Sequence, residues 1–349
     1  MIDEVVARAI DERVFPGAVV YVARSGTVLH HAAYGTTMYD DIGSLPVTQE
    51  TIYDIASLTK LFTATAILQL YDAGELALDD DVRRFLPTVV ADGLCIQHLL
   101  THSSGLDIRL STLRDLSSDA LYSAIDATRP QRVPGTSIAY TNVNSTLLGR
   151  VIACITGQTL DAALFELILA PLAMQNTGFN PPAERHRRIA PTEWDDAWRG
   201  GLVHGRVHDE SAAALGGVAG HAGLFSTTAD LAHFAELWLA QGSWGGRQLL
   251  REATVVLALR DYTAALNSPI AGRSYRSGLG WMLDRSGFMG KTPLGTAGHT
   301  GFTGPVIVVQ PALGMTVIVL SNRTYPRRTS PPYRHHTITA AIVEEALLV

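Results

Sequence analysis

The sequence predicts an α+β fold in which both chain ends feed strands into one sheet and the middle is a mainly helical insertion. Three observations carry this. β-rich runs at 17–23 and 27–34 stand near the start, joined by Ser25-Gly26, a hairpin signal. Two more, at 305–310 and 315–320, stand near the end and are turned by Pro311-Ala312-Leu313-Gly314. Between the two pairs the apolar spacing is largely helical.

Taken in order, residues 2–13 predict a short amphipathic helix with Val5, Val6 and Ile10 on one side. From Leu58 to Tyr71 the chain is apolar or small on nearly every side, which marks a helix buried all round, and Gly74 is its expected left-handed stop. Asp79-Asp80-Asp81 lacks the Gly and Glu of a calcium loop and instead caps a helix at 82–86. A short helix is expected at 97–100, helical patterns fill 111–128 and 143–171, and 173–220 is loop-rich. A helix capped by Ser226-Thr227 runs over 228–240, and another closes the chain at 336–349. The domain division expected is a sheet lobe of 1–72 and 225–349, a mainly helical lobe of 73–224, and a cleft between them.

Composition narrows the function. The chain has 349 residues and is 47% hydrophobic, enough to bury a large core. A net charge of −6 and scattered arginines give no basic stripe, so nucleic acid is not an expected partner. Cys95 and Cys154 lie in apolar surroundings and are expected as inert core thiols rather than a disulfide or metal pair. No apolar run reaches membrane-spanning length. The start, Met1-Ile2-Asp3-Glu4-Val5, has no signal-peptide pattern, so the expectation is cytoplasmic, or secreted or periplasmic if a leader was removed.

The chemistry centres on Ser57 and Lys60. Ser57 opens the buried helix and Lys60 follows one turn later on the same face. A lysine entering a buried segment is costly unless its amine is needed there. The chain holds only two lysines, Lys60 and Lys291, beside 20 serines, so chance supplies about 0.1 such Ser-x-x-Lys pairs. A serine at a helix start with an amine one turn on is what an activated acyl-transfer nucleophile requires. Two further stretches answer it. Tyr140-Thr141-Asn142 offers a phenol able to relay a proton and an amide able to orient a substrate. Gly298-His299-Thr300-Gly301-Phe302-Thr303-Gly304, read as the entry to the first C-terminal strand, lets a substrate approach backbone N–H groups.

The order Ser-x-x-Lys, Tyr-x-Asn, His-Thr-Gly resembles the serine β-lactamase-like hydrolases, a group of class C β-lactamases, penicillin-binding proteins, D-aminopeptidases and family VIII esterases. The resemblance extends through 53–60, 98–106, Gly278-Leu279-Gly280-Trp281 and 320–323. The stretch 207–226 further resembles the branch with N-acetylmuramoyl-L-alanine amidase-like and carboxypeptidase members. The resemblance implies an antiparallel sheet flanked by helices, with the inserted helical lobe beside it. It also implies that Ser57 is acylated, that Lys60 and Tyr140 share the general-base role, and that the Ser57 and Phe302 N–H groups hold the oxyanion. Asn142, His299, Thr300, Gly301 and Phe302 then bind substrate.

The expected function is a metal-independent serine hydrolase without cofactor, acting on cell-wall-derived peptides. Its alternatives are a carboxylesterase, a weak β-lactamase, or a non-catalytic penicillin or peptidoglycan sensor. His204 and His208, spaced i to i+4 beside Asp209, could bind zinc on a helix, but the glycine and valine between them argue for a loop. Asp209 and His221 are expected to shape the cleft wall, and His335 and His336 to lie at the surface. His299 stands where β-lactamases of this kind carry lysine. With an ordinary imidazole pKa of about 6.5 it is expected to be partly cationic at neutral pH.

Overall fold

A computed structural model describes residues 1–39, 42–266, 276–329, 331 and 333–348. Its centre is a six-stranded antiparallel sheet with the spatial order Met282–Leu283, Ala297–Thr300, Val306–Gln310, Met315–Ser321, Gly17–Arg24, Thr27–Gly35. Both chain ends thus meet in one sheet, with Val19 opposite Leu320 and Val20 opposite Val319.

The three central strands, Val306–Gln310, Met315–Ser321 and Gly17–Arg24, read as largely apolar runs because both their faces are covered. Val20, Val22, Val308 and Val317 point to the helices Ile2–Asp11 and Arg334–Leu347, where they meet Val6, Ala9, Ile342 and Val343. The alternate residues Val19, Ile307, Val309 and Ile318 point the other way, into the larger core with Phe62, Phe234, Trp238 and Trp281. That core also takes in the helix Thr59–Asp72, buried from Thr59 to Leu68.

Several expectations change. The helical pattern over 143–171 is broken: Asn142–Thr156 ends at Gly157 (φ 66°), and Leu160–Leu164 continues into a wider turn at Phe165–Leu169. Over 111–128 only Ser118–Asp126 is α-helical. The His-Thr-Gly stretch does not lead into the 306–310 strand; it is a strand of its own, paired antiparallel with that one. Four residues with a glycine among them and another just after are too short to show an alternation in sequence. Cys154 is exposed rather than in the core, and His335 is buried rather than at the surface. The closing helix begins two residues earlier than expected, and Val349 lies outside the described residues.

Among the described residues no single helix is long and apolar enough to cross a membrane.

Candidate active site

Ser57 lies in a single 3₁₀ turn, Ala56–Leu58, that feeds directly into the Thr59–Asp72 helix. The turn is strained: Ala56 has φ 45°, a conformation that alanine rarely adopts. Asp54 holds it there. Its Oδ1 accepts the Ala56 N–H at 2.8 Å, its Oδ2 accepts the His208 N–H at 2.7 Å, and Thr303 Oγ1 donates to its backbone carbonyl at 2.7 Å. Burial of this carboxyl pushes its pKa up against those hydrogen bonds.

Lys60 is 3% exposed, and all three hydrogen positions of its amine face acceptors. They are Ser57 Oγ at 2.9 Å, Asn142 Oδ1 at 3.0 Å and the His221 carbonyl at 3.0 Å. An amide oxygen and a peptide carbonyl can only accept, so two N–H bonds are committed to them. When the amine is neutral, the position left over is its lone pair, aimed at Ser57 Oγ. That is the geometry of a base against a nucleophile.

The turn bearing His221 reaches Lys60 because two glycines remove side chains where it crosses the Asn142–Thr156 helix. A Cβ on Gly220 would sit 2.0 Å from the Ser145 carbonyl, and one on Gly149 would sit 3.2 Å from Gly220 Cα. Thr63 Oγ1 ties the same turn to the Thr59–Asp72 helix by donating to the Gly220 carbonyl at 2.8 Å.

Tyr140 stands over this floor, with Lys60 Nζ 5.0 Å from its ring centroid. The ring is half-exposed, and among the described residues no hydrogen bond joins its hydroxyl to Ser57 or Lys60. Beside it, 4.6 Å between ring centres, is His102, a residue the sequence reading did not single out. His102 takes φ 55°, and its Nδ1 accepts from Asn144 Nδ2 at 3.0 Å and from the Thr141 N–H at 3.4 Å. Two donors on one nitrogen require a lone pair there, so the proton sits on Nε2. Burial, aided by the Lys60 and His299 charges, pushes its pKa down to about 3.

The opposite wall is the strand Ala297–Thr300 and the turn after it. Gly301 is required: a Cβ there would lie 2.7 Å from the Ile55 carbonyl and 3.4 Å from Ala56 Cβ. This contact brings the 301–302 backbone against the start of the nucleophile turn. Phe302 is held from outside, with the His208 ring centre 5.6 Å away and the Arg323 guanidinium 4.5 Å from its ring centre.

His299 is 1% exposed, and its Nδ1–H donates to the Thr300 carbonyl at 2.9 Å. Burial first, then the Lys60 charge, pushes its pKa down to about 3 against that hydrogen bond. The expectation of a partly cationic imidazole is therefore corrected: at neutral pH the group is uncharged. The sequence shows which residue replaces lysine but not how deeply the replacement is buried.

His204 and His208 share no helix. His204 Nε2 faces the His186 and Ile189 carbonyls at 2.9 Å, and His208 Nε2 faces Glu193 Oε2 at 2.9 Å. Among the described residues no group of three or more His, Cys, Asp or Glu is arranged to hold a metal ion.

Comparison with known proteins accords with this geometry. A family model described as Beta-lactamase matches residues 2–340. An Escherichia coli K12 protein, named as a candidate D-alanyl-D-alanine carboxypeptidase, is 32% identical over 359 aligned positions, covering 91% of this chain and 80% of the relative. Among solved structures, the hydrolase EstCE1 superposes with a TM-score of 0.79 at 23% identity, covering 98% of this chain and 97% of its own. A penicillin-binding protein homologue from Caulobacter crescentus superposes with a TM-score of 0.78 at 21% identity, covering 98% and 96%. A class C β-lactamase gives 0.77 at 21%, covering 98% and 94%. The chain belongs to the beta-lactamase family and is a serine hydrolase of that fold.

Proposed function

We propose that the protein is a peptidase or amidase on cell-wall-derived peptides, working through an acyl-enzyme on Ser57. The observation that carries this is the 2.9 Å contact between Ser57 Oγ and a lysine amine whose other hydrogens are tied to obligate acceptors. In this reading Ser57 Oγ attacks the scissile carbonyl carbon and its proton passes to Lys60. The N–H groups of Ser57 and Phe302 stabilise the oxyanion, and the tight approach of Gly301 to Ile55 supports that pairing. As the intermediate collapses, the leaving amine takes a proton from Lys60 or, after a small swing, from Tyr140. Water then attacks the Ser57 ester by the same route. Asn142 holds the amine, and Thr300 and Gly301 line the strand edge along which the acyl chain lies.

The lobe division at 72 and 224 and a cleft between the lobes belong to the same reading. Lys60 comes from one side of that division, and Tyr140, Asn142 and His221 from the other. The 32% identical relative named for carboxypeptidase activity supports a peptide substrate. One observation favours a second reading, an esterase: the uncharged His299 offers no cation to a substrate carboxylate.

A serine-directed fluorophosphonate tests the mechanism. It should add one covalent mass, mapped to Ser57, and Ser57→Ala should abolish it. A panel of muropeptides, D-amino-acid amides, p-nitrophenyl esters and nitrocefin then ranks substrates. Turnover of esters alone would replace the peptidase reading, and labelling of another serine would overturn the mechanism.

A further inference from the structure

Behind Lys60 stands a carboxylate that the acyl-transfer steps above do not use. Asp209 Oδ1 accepts hydrogen bonds from Ser211 Oγ at 2.5 Å, the Ala212 N–H at 2.9 Å and His221 Nε2 at 3.0 Å, and its Oδ2 accepts from Asn142 Nδ2 at 3.2 Å. Four donors converging on two oxygens suit the ionised form and leave no place for a proton. Burial opposes that charge, but the His221 imidazole and the hydrogen bonds win and hold the carboxyl well below the usual range.

The support is deep. His221 is fully buried, and its other nitrogen lies 2.9 Å from Thr146 Oγ1, one turn along the helix from Asn142. Since a carboxylate only accepts, the Asn142 amide has a single workable orientation. Its NH₂ faces Asp209, and its oxygen faces the Lys60 amine at 3.0 Å.

We propose that Asp209 is a positioning residue for acyl transfer, acting through Asn142 to keep the Lys60 amine against Ser57, with His221 and Ser211 as its supports. The proposal rests on the reading that Ser57 and Lys60 carry the chemistry. Charge enters as well as orientation. Among the described residues Lys60 makes no direct ion pair, so this carboxylate, two hydrogen bonds away through Asn142, answers its ammonium. The other titratable groups around the pair are accounted for. Tyr140 stands 5.0 Å above the amine, and His102 and His299 are uncharged. Asp54 has its carboxyl pushed up by burial, with the Asp209 charge adding to the effect, and Arg199 bonds the Asp209 backbone carbonyl at 3.5 Å rather than its carboxylate.

The test needs no natural substrate. It is the rate of Ser57 phosphonylation by a fluorophosphonate between pH 5 and 9, in the wild type, Asp209→Asn, Asp209→Ser, Asn142→Ala and the double variant Asp209→Asn/Asn142→Ala. In that reaction Ser57 Oγ forms the bond to phosphorus, fluoride leaves with its electron pair, and the serine proton passes to Lys60. Asp209→Asn should slow labelling at neutral pH on the order of 10²-fold, the scale of a small misplacement at a reacting centre. Its rate–pH profile should also move to lower pH by about one unit, because a nearby negative charge no longer favours the ammonium.

Asp209→Ser keeps an acceptor for the Ala212 N–H, so it preserves the helix cap while removing the charge, and it should behave like Asp209→Asn. In the Asn142→Ala background the Asp209→Asn change should add little. A profile that superimposes on wild type, full recovery in Asp209→Ser, or an undiminished loss in the Asn142→Ala background each overturns the proposal. Wild-type labelling that maps away from Ser57 overturns the underlying mechanism instead, and mass mapping distinguishes the two failures.

Discussion

The two sides of the candidate site differ in what they present to Ser57. The wall with Asn142, Asp209 and His221 is a net of buried and part-buried hydrogen bonds that converges on one amine. The wall with His299, Thr300, Gly301 and Phe302 presents backbone, a neutral ring and a half-exposed phenyl. In the proposed mechanism the first moves protons and fixes charge, while the second receives the carbonyl and accommodates the acyl chain. Changes to the first wall should therefore appear in the chemical step, and changes to the second in oxyanion stabilisation and substrate fit.

The largest effect sharpens this contrast at the floor between the walls. Ser57→Ala and Lys60→Ala should each lower kcat by about 10⁴-fold or more, with the double variant little worse, because the pair acts as a unit. Tyr140→Phe should cost less, about 10²-fold, since its hydroxyl makes no bond to either residue at rest. Steady-state kinetics on any turned-over substrate reads this directly. A Tyr140→Phe loss equal to that of Lys60→Ala would mean that phenol and amine carry the proton as one unit.

Next in size is the second wall. Gly301→Ala forces a Cβ to within 2.7 Å of the Ile55 carbonyl, which cannot yield without moving the nucleophile turn. The expected loss is about 10²–10³ in kcat, the scale of one misplaced oxyanion donor. A variant that keeps wild-type kcat would show that the backbone of this wall takes no part in catalysis.

How much of this was legible in the residues follows from the kind of information each feature needs. Ser57 and Lys60 are close in sequence and improbable together, so local spacing reveals them. The sheet was readable because alternate valines and isoleucines fill two separate cores, which leaves uninterrupted apolar runs. Asp209 and His221 were read as residues of a cleft wall, with no role beyond that. Their meaning depends on a fold that places them against Asn142, 67 positions from Asp209. His102 and Asp54 lie in the matching stretches 98–106 and 53–60, but their roles stayed hidden for the same reason: each acts by holding a strained backbone or another side chain. The His-Thr-Gly strand was misjudged because its pairing, not its composition, defines it.

A smaller effect probes both walls together through their buried imidazoles. His102 and His299 have pKa values pushed down to about 3, and His335 to about 2, against about 6.5 in an unfolded chain. Below pH 6.5 the unfolded chain binds protons that the folded one refuses. The stability contributed is therefore complete above pH 6.5 and lost as pH falls toward 3. Each such histidine should add about 1.4 kcal/mol per pH unit to the slope within that window. Urea unfolding between pH 4 and 7 measures it, and His299→Gln should flatten the slope by one histidine's share. An unchanged slope would mean that position 299 titrates in the folded protein.

The smallest expected change is none at all, and it bears on recognition. Were His299 a titrating cation, KM for a substrate carrying a carboxylate beside it would climb up to tenfold per pH unit above about 6.5, as the attraction disappears. Burial and then the Lys60 charge outweigh the Nδ1 bond to Thr300 and leave a neutral ring throughout that range. KM for carboxylate-bearing and neutral substrates should then show the same pH dependence between pH 5.5 and 8. The same should hold in His299→Gln, since no charge is lost. A carboxylate-specific rise near pH 6.5 in the wild type, absent from His299→Gln, would restore a charged anchor to the second wall. Without such a rise, the wall selects by shape and backbone hydrogen bonds.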